Sequence, residues 1–304
     1  MKIVHYPVLA QETLQYLPLD NDKEQLMIDC TLGEGGHSHL FLKKYPNLRV
    51  IGLDRDAAIL EKAKLRLKEF GSRFEGVNTW FDTFLENYEG PRPNIILFDL
   101  GISIFHYEES KRGFSFNSDE KLDMRLDVTS DLTAFDVVNY YKEKELADLI
   151  FKYGEERYSR KIAASIVRNR AIKPIDTAGQ LADIIKLAVP PSYRYGKISP
   201  ATRTFQAIRI EVNEELKRIP VAIKSAIKLL EDEGRIAVIS LHSLEDRPVK
   251  HLFRELAKED EQKQASVKIL TKKPIRPTEL EIQENPPSRS AKLRVAQKLG
   301  AHHV

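Results

Sequence analysis

Asp29-Cys30-Thr31-Leu32-Gly33-Glu34-Gly35-Gly36-His37-Ser38 follows directly on the apolar run Leu26–Asp29 and precedes a segment of helical pattern, 37–45. An apolar run that stops at clustered glycines reads as a buried strand feeding a tight turn. The N–H groups opening the next helix are then free to meet an anionic end, whether phosphate or carboxylate. About twenty residues on, a second apolar run, 49–54, closes on Asp54. That is the position which hydrogen-bonds ribose hydroxyls in nucleotide-binding sheets. The helix predicted over 56–69 has Asp56 placed to cap it. Dinucleotide binding asks for G-x-G-x-x-G/A, and Ser38 breaks that pattern at its last position. An acid closing the first strand, then Thr31 and the glycines, suits S-adenosyl-L-methionine better. His37 reads as opening the helix rather than binding metal, since no H-x-x-x-H or C-x-x-C spacing accompanies it.

Working outward, residues 94–100 and the end of 231–240 form two further apolar runs, the second leading into a helix from Ser243. Strands alternating with helices predict parallel βαβ units, an α/β doubly wound, Rossmann-like sheet. Between them, 132–141, 144–154, 160–170 and 180–189 are striped at helical spacing with no strand alternation. The expected organisation is a core of 1–104 and 211–304 with a helical domain, 105–210, inserted after the strand ending at Asp99. The tail, rich in proline and charge, is expected to wrap the surface until 292–299 forms a late strand.

The 304 residues are 42% hydrophobic and 31% charged, with net charge +3 and one cysteine, Cys30. These values fit a globular protein of a reducing compartment, and no stretch of about 18 apolar residues is present. A soluble, cytoplasmic protein without membrane or metal partners is expected. From 157 to 218 there are 13 Lys/Arg against 5 Asp/Glu, and no acid stands between Asp183 and Glu211. Tyr193-Arg194-Tyr195-Gly196-Lys197 and Arg203-Thr204-Phe205-Gln206-Ala207-Ile208-Arg209 interleave aromatics with cations there. Phosphate neutralisation with base stacking is what RNA binding needs, although a solvated basic face has the same composition. The tail adds Lys268, Lys272, Lys273, Arg276, Arg289, Lys292 and Arg294. Basic regions on both sides of a cofactor fold favour a nucleic-acid substrate without separating RNA from DNA.

Asp99 falls at the carboxyl end of its strand, where ligands of open α/β sheets lie. A carboxylate there can accept an N–H from an amine conjugated into a base and hold it in line with a methyl donor. It can also be a strand-end acid that caps the next turn. The Pro-Pro-aromatic stretch that commonly follows in DNA amino-methylating enzymes is replaced by Leu100-Gly101-Ile102, so Ser103, Phe105 or Tyr107 must supply any stacking or hydroxyl. In 241–247, His242, Ser243, Glu245, Asp246 and Arg247 are candidates to order a base or RNA. Ser243 can equally cap the following helix, with Asp246 three residues on. No G-x-S-x-G elbow makes it a nucleophile.

These segments together resemble the MraW/RsmH family of ribosomal RNA methyltransferases over nearly the whole chain. The stretches that carry the resemblance are HYPVL at 5–9, DCTLGEGGHS at 29–38, GLDRD at 52–56 and DLGIS at 99–103. RGFSF at 112–116, LDMRLD at 122–127, YGEERYSRKIA at 153–163 and PATRTFQAIRIEVNEEL at 200–216 follow, then ISLHSLEDRPVK at 239–250 and SRSAKLR at 288–294. The resemblance implies S-adenosyl-L-methionine as cofactor, held by Gly33, Gly35, Gly36, His37, Asp54, Phe81 and Asp99. It implies methylation of a cytidine amino group in the decoding region of 16S rRNA, with the small ribosomal subunit as partner and a possible homodimer. From position and composition, Asp99, with His242 and Ser243, is expected to serve catalysis, and Arg194, Tyr195, Arg203, Phe205, Arg209 and Arg247 to contact RNA. Where the family has Ser-Pro-Gln-Leu-Asp after DLG(V/I)S, this chain has Ile104-Phe105-His106-Tyr107-Glu108, so His106 takes the place of the glutamine that touches the cofactor. Ser199 replaces the usual histidine before PATRTF, and Pro287 a common arginine. A DNA methyltransferase and an RNA-binding assembly factor with lost catalysis are the competing assignments.

Overall fold

A computed structural model describes residues 6–196, 198–259 and 265–300, and these divide into two compact units. The first comprises Met1–Ile102 and Leu216–Val304, the second Ser103–Glu215. Relative to the expected breaks at 104/105 and 210/211, the second boundary lies further on because one helix runs unbroken from Ala201 to Asn213. His5 and Lys197, both quoted above, lie outside the described residues.

The first unit is built on strands β1 (Gln25–Asp29), β2 (Leu48–Asp54), β3 (Phe74–Asn78), β4 (Ile95–Asp99), β5 (Arg235–Ser240), β6 (Val267–Ile269) and β7 (Lys292–Lys298). Among the described residues they form one sheet in the order β3-β2-β1-β4-β5-β7-β6. The first five are mutually parallel, and β7 pairs antiparallel with both β5 and β6. The order reverses direction between β1 and β4, which opens a crevice beyond their carboxyl ends.

Near-continuous apolar strands are what a sheet covered on both faces requires. Alternate residues serve opposite faces: Met27, Val50, Ile95, Leu97 and Ile239 pack with Leu9, Phe41 and Leu60. Ile28, Ile51, Ile96, Phe98 and Val238 pack with Ile219, Ile223 and Phe253. The helices on the first face are α1 (Ala10–Tyr16), α2 (Gly36–Lys44) and α3 (Ala57–Leu67), and α4 (Phe81–Asn87) follows β3 on the other. Asp56 caps α3 as expected, its carboxylate accepting from the Ala58 N–H at 2.9 Å.

The second unit is helical: α5 (Ile104–Glu108), α6 (Ala134–Tyr140), α7 (Glu143–Gly154), α8 (Ser159–Arg170), α9 (Ala178–Ala188), α10 (Pro191–Arg194) and α11 (Ala201–Asn213). Thr133 and Thr177 open α6 and α9 with capping boxes to Asp136 and Gln180. The RGFSF and LDMRLD segments are a hydrogen-bonded loop here. Arg112 donates to the Arg125 carbonyl at 2.7 Å, and Arg125 pairs with Asp123 at 2.8 Å. Buried Asn213 closes the loop, accepting from the Leu126 N–H and donating to the Met124 carbonyl, both at 2.8 Å. The chain then returns to the first unit through α12 (Glu215–Leu229), and α13 (Ser243–Leu256) and α14 (Glu279–Glu284) complete the helices. None of the described helices is long and apolar enough to cross a membrane.

Candidate active site

The β1–α2 turn is fixed from both sides. Leu32 donates to the Leu53 carbonyl at 2.8 Å, and Gly35 to the Leu32 carbonyl at 2.8 Å. Gly33 and Gly35 both take positive φ, 54° and 78°. A Cβ on Gly35 would meet Leu67 Cδ1 at 2.9 Å, whereas one on Gly33 would meet nothing within 4 Å. Gly33 thus faces open space, and Gly35 packs inward. Asp54, at the end of β2, ties itself to the turn, its two oxygens accepting from the Gly33 and Asp56 N–H groups at 2.9 Å each. Burial pushes its carboxyl up to about 7 against the help of those two bonds. The residue still keeps some solvent access.

Asp29 is buried, accepts from Ser38 Oγ at 2.7 Å, and has its carboxyl raised by that burial. It braces the turn from behind rather than facing the crevice. Thr31 accepts from the Asp99 N–H at 2.6 Å, which pins the end of β4. The Asp99 side chain is 26% exposed, with Oδ2 3.6 Å from Nε2 of buried His37. Thr13 gives its hydroxyl proton to the Ala10 carbonyl at 2.8 Å, so toward His37 Nδ1, 3.5 Å away, it can only accept. Nε2 of His37, buried and without a hydrogen-bond partner among the described residues, lies beside Asp99. Phe81 opens α4 beyond the same strand ends, with its ring edge-on to Phe98 at 5.6 Å.

The carboxyl edge of the first unit thus brings together Gly33, Gly35, Gly36, His37, Asp54, Phe81 and Asp99. A glycine turn with open space before it, an acid at the end of β2, an aromatic at α4 and an orphaned buried nitrogen beside Asp99 fit a nucleoside carrying a charged amino-acid end. A sequence profile of the MraW methylase family matches residues 2–299. The chain belongs to the MraW methylase family. Ribosomal RNA small subunit methyltransferase H of Treponema denticola is 51% identical, the match covering 98% of each chain. The protein of that name from a Sulfurihydrogenibium species is 50% identical over 98% of this chain and the whole of its own. As a member of the MraW methylase family, the chain is a methyltransferase that uses S-adenosyl-L-methionine.

Other expectations are corrected. His242, not Ser243, is the N-cap of α13. Glu245 reaches back to the Leu241 N–H at 2.8 Å and lies 3.0 Å from His242 Nε2. Asp246, expected to face the cap, pairs with Arg294 at 2.6 Å instead. Arg247 is exposed on α13.

In the second unit, His106 is buried between the rings of Phe105 and Phe114, at 5.5 and 5.3 Å. Ser103 caps α5, and half-exposed Tyr107 receives a 3.4 Å bond from Arg209. Phe205 and Arg209, assigned to RNA from the sequence, lie inside the methylase. Phe205 is 4% exposed and packs on Phe116, while Arg209 forms a bidentate pair with Glu215 at 2.8 and 2.9 Å. Both fall on the apolar stripe of α11, which the interleaved lettering of 203–209 conceals. Arg194 donates to the Val189 carbonyl past the end of α9. Arg203 is exposed and donates to the Glu155 carbonyl at 2.9 Å, and Tyr195 is 78% exposed.

The sequence reading missed a stacked group. Arg157 lies over both Tyr158 and Tyr193, at 4.9 and 5.0 Å, and the two rings meet edge-on. Buried Glu156 accepts from Tyr193 Oη at 2.6 Å, and burial with that bond raises the phenol to about 12. The signal was present in the YGEERYSRKIA segment, but two tyrosines 35 positions apart give no local pattern.

Proposed function

We propose that this methylase transfers a methyl group to the exocyclic amino group of a cytidine in the decoding region of small-subunit ribosomal RNA. The observation that carries the reading is the Asp99 carboxylate, which stands at the carboxyl end of β4, where Thr31 fixes the Asp99 N–H, and is left partly open beside His37. When bound, S-adenosyl-L-methionine supplies an electrophilic methyl group on a sulfonium. Asp54 takes the ribose hydroxyls, and the Gly33–Gly36 turn admits the amino-acid end. The lone pair of a cytosine amino group is delocalised into its ring, so the amine is a weak nucleophile. Asp99 accepts one of its N–H bonds, aims the nitrogen, and stabilises the positive charge that grows on it. His242 and Ser243 stand at the start of α13, where His242 Nε2 lies 3.0 Å from Glu245.

RNA is the acceptor favoured by the relatives' names and by the cation–aromatic surface of Arg157, Tyr158, Tyr195 and Arg203. Asp99→Ala is expected to lower methyl transfer by roughly a hundredfold or more, with cofactor affinity by calorimetry within a few-fold of wild type. A near wild-type rate removes Asp99 from the mechanism.

A further inference from the structure

The crevice at β1 and β4 is not the sole concave feature of the first unit. A cavity of about 600 Å³ lies where the C-terminal half of α13 meets β6 and β7. It shares no residue with the glycine turn, Asp54 or Asp99. Its apolar lining includes Phe253 and Ile269, and its cations include Lys250, Arg254, Lys268 and Lys272. Among the described residues, no acidic side chain lines it. The fifth cation, Arg294, is neutralised by Asp246 at 2.6 Å. The other four have no ion-pair or hydrogen-bond partner among the described residues.

We infer that this cavity holds a second stretch of the RNA strand, remote from the reacting base. Lys250 and Arg254 stand one helical turn apart, about 6 Å along α13, and border the same cavity as Lys268 and Lys272. The cations bordering the cavity neutralise a phosphodiester backbone, while its apolar lining accepts the flat face of a base. A free polyphosphate is fitted less well. Such an anion has no flat apolar face to set against Phe253 and Ile269. The inference rests on the RNA reading above and extends it to a face of the methylase that the helical unit does not provide.

The test is fluorescence anisotropy of a short labelled single-stranded RNA titrated with the full chain over a salt series. Lys250→Ala/Lys268→Ala is expected to weaken binding on the order of tenfold at low salt, and to flatten the log–log salt slope by about 1.4, the value for two phosphates. Lys250→Arg/Lys268→Arg is expected to restore both. Lys23→Ala/Lys224→Ala removes equal charge elsewhere and is expected to leave the slope unchanged. Equal effects in the two alanine pairs, or none in either, overturn the cavity assignment while leaving RNA as substrate. Tripolyphosphate binding that depends on Lys250 and Lys268, with RNA affinity unaltered, overturns it in favour of a free anion. Failure of the unaltered chain to bind RNA overturns the substrate reading as well.

Discussion

Asp54 carries the strongest pH signature of the site. Its carboxyl titrates near 7 in the folded chain because burial disfavours the charged form. A raised carboxyl contributes stability that is full below its ordinary value near 4 and is lost as pH rises through about 7. Ribose hydroxyls donate best to the ionised form, so cofactor affinity is expected to run the other way. Calorimetry is expected to show S-adenosyl-L-methionine binding tighten by up to roughly tenfold between pH 6 and 8, the change that one group titrating near 7 produces. Asp54→Asn should bind weakly and without that slope. A slope that survives in Asp54→Asn assigns the titration to another group. Asp54 was legible from the sequence because a strand-end acid after a glycine turn has one customary use. The His37–Asp99 approach was not, since it depends on Thr13, a residue of a helix that no motif announces.

At the scale of elements, the two strained glycines of the β1–α2 turn divide structure from binding. Gly35→Ala forces a side chain into the left-handed region and against Leu67 at 2.9 Å. A cost of about 1–2 kcal/mol is expected in denaturant unfolding. Gly33→Ala bears a similar backbone strain, but its methyl enters the open space before the turn, so it is expected to lose more cofactor affinity than Gly35→Ala does. The reverse ranking contradicts the placement of the cofactor there. Arg209→Ala leaves the partly buried Glu215 without its bidentate partner, which costs about 3 kcal/mol. Unchanged stability with lost RNA affinity would return Arg209 to the RNA surface.

The elements found from sequence were those with a continuous apolar run or a clear helical pattern: β1, β2, β4, β5, α2, α3, α6 to α9 and α13. β3 was missed because Phe74-Glu75-Gly76-Val77-Asn78 is a half-exposed edge strand carrying a charge, a glycine and an amide. β6 is three residues long, and α12 carries Pro220 inside it, a residue that normally ends a helix. β7 was expected as a late strand, but pairing antiparallel between β5 and β6 depends on partners far away in sequence.

For the whole molecule, a net charge of +3 is too small to bind RNA by itself. The unequal distribution of charge carries the argument. Cations outnumber acids in the 157–218 stretch and around the cavity beside α13, so RNA affinity is expected to fall steeply with salt while cofactor affinity does not. Parallel salt responses for the two ligands would contradict separate electrostatic roles.

The central claim is tested most directly by methyl transfer from radiolabelled S-adenosyl-L-methionine to small ribosomal subunits of a strain lacking this protein, followed by nucleoside analysis. Label in cytidine methylated on its amino group, absent with Asp99→Ala, is the predicted result. Label in another nucleoside, or none despite cofactor binding, contradicts the account.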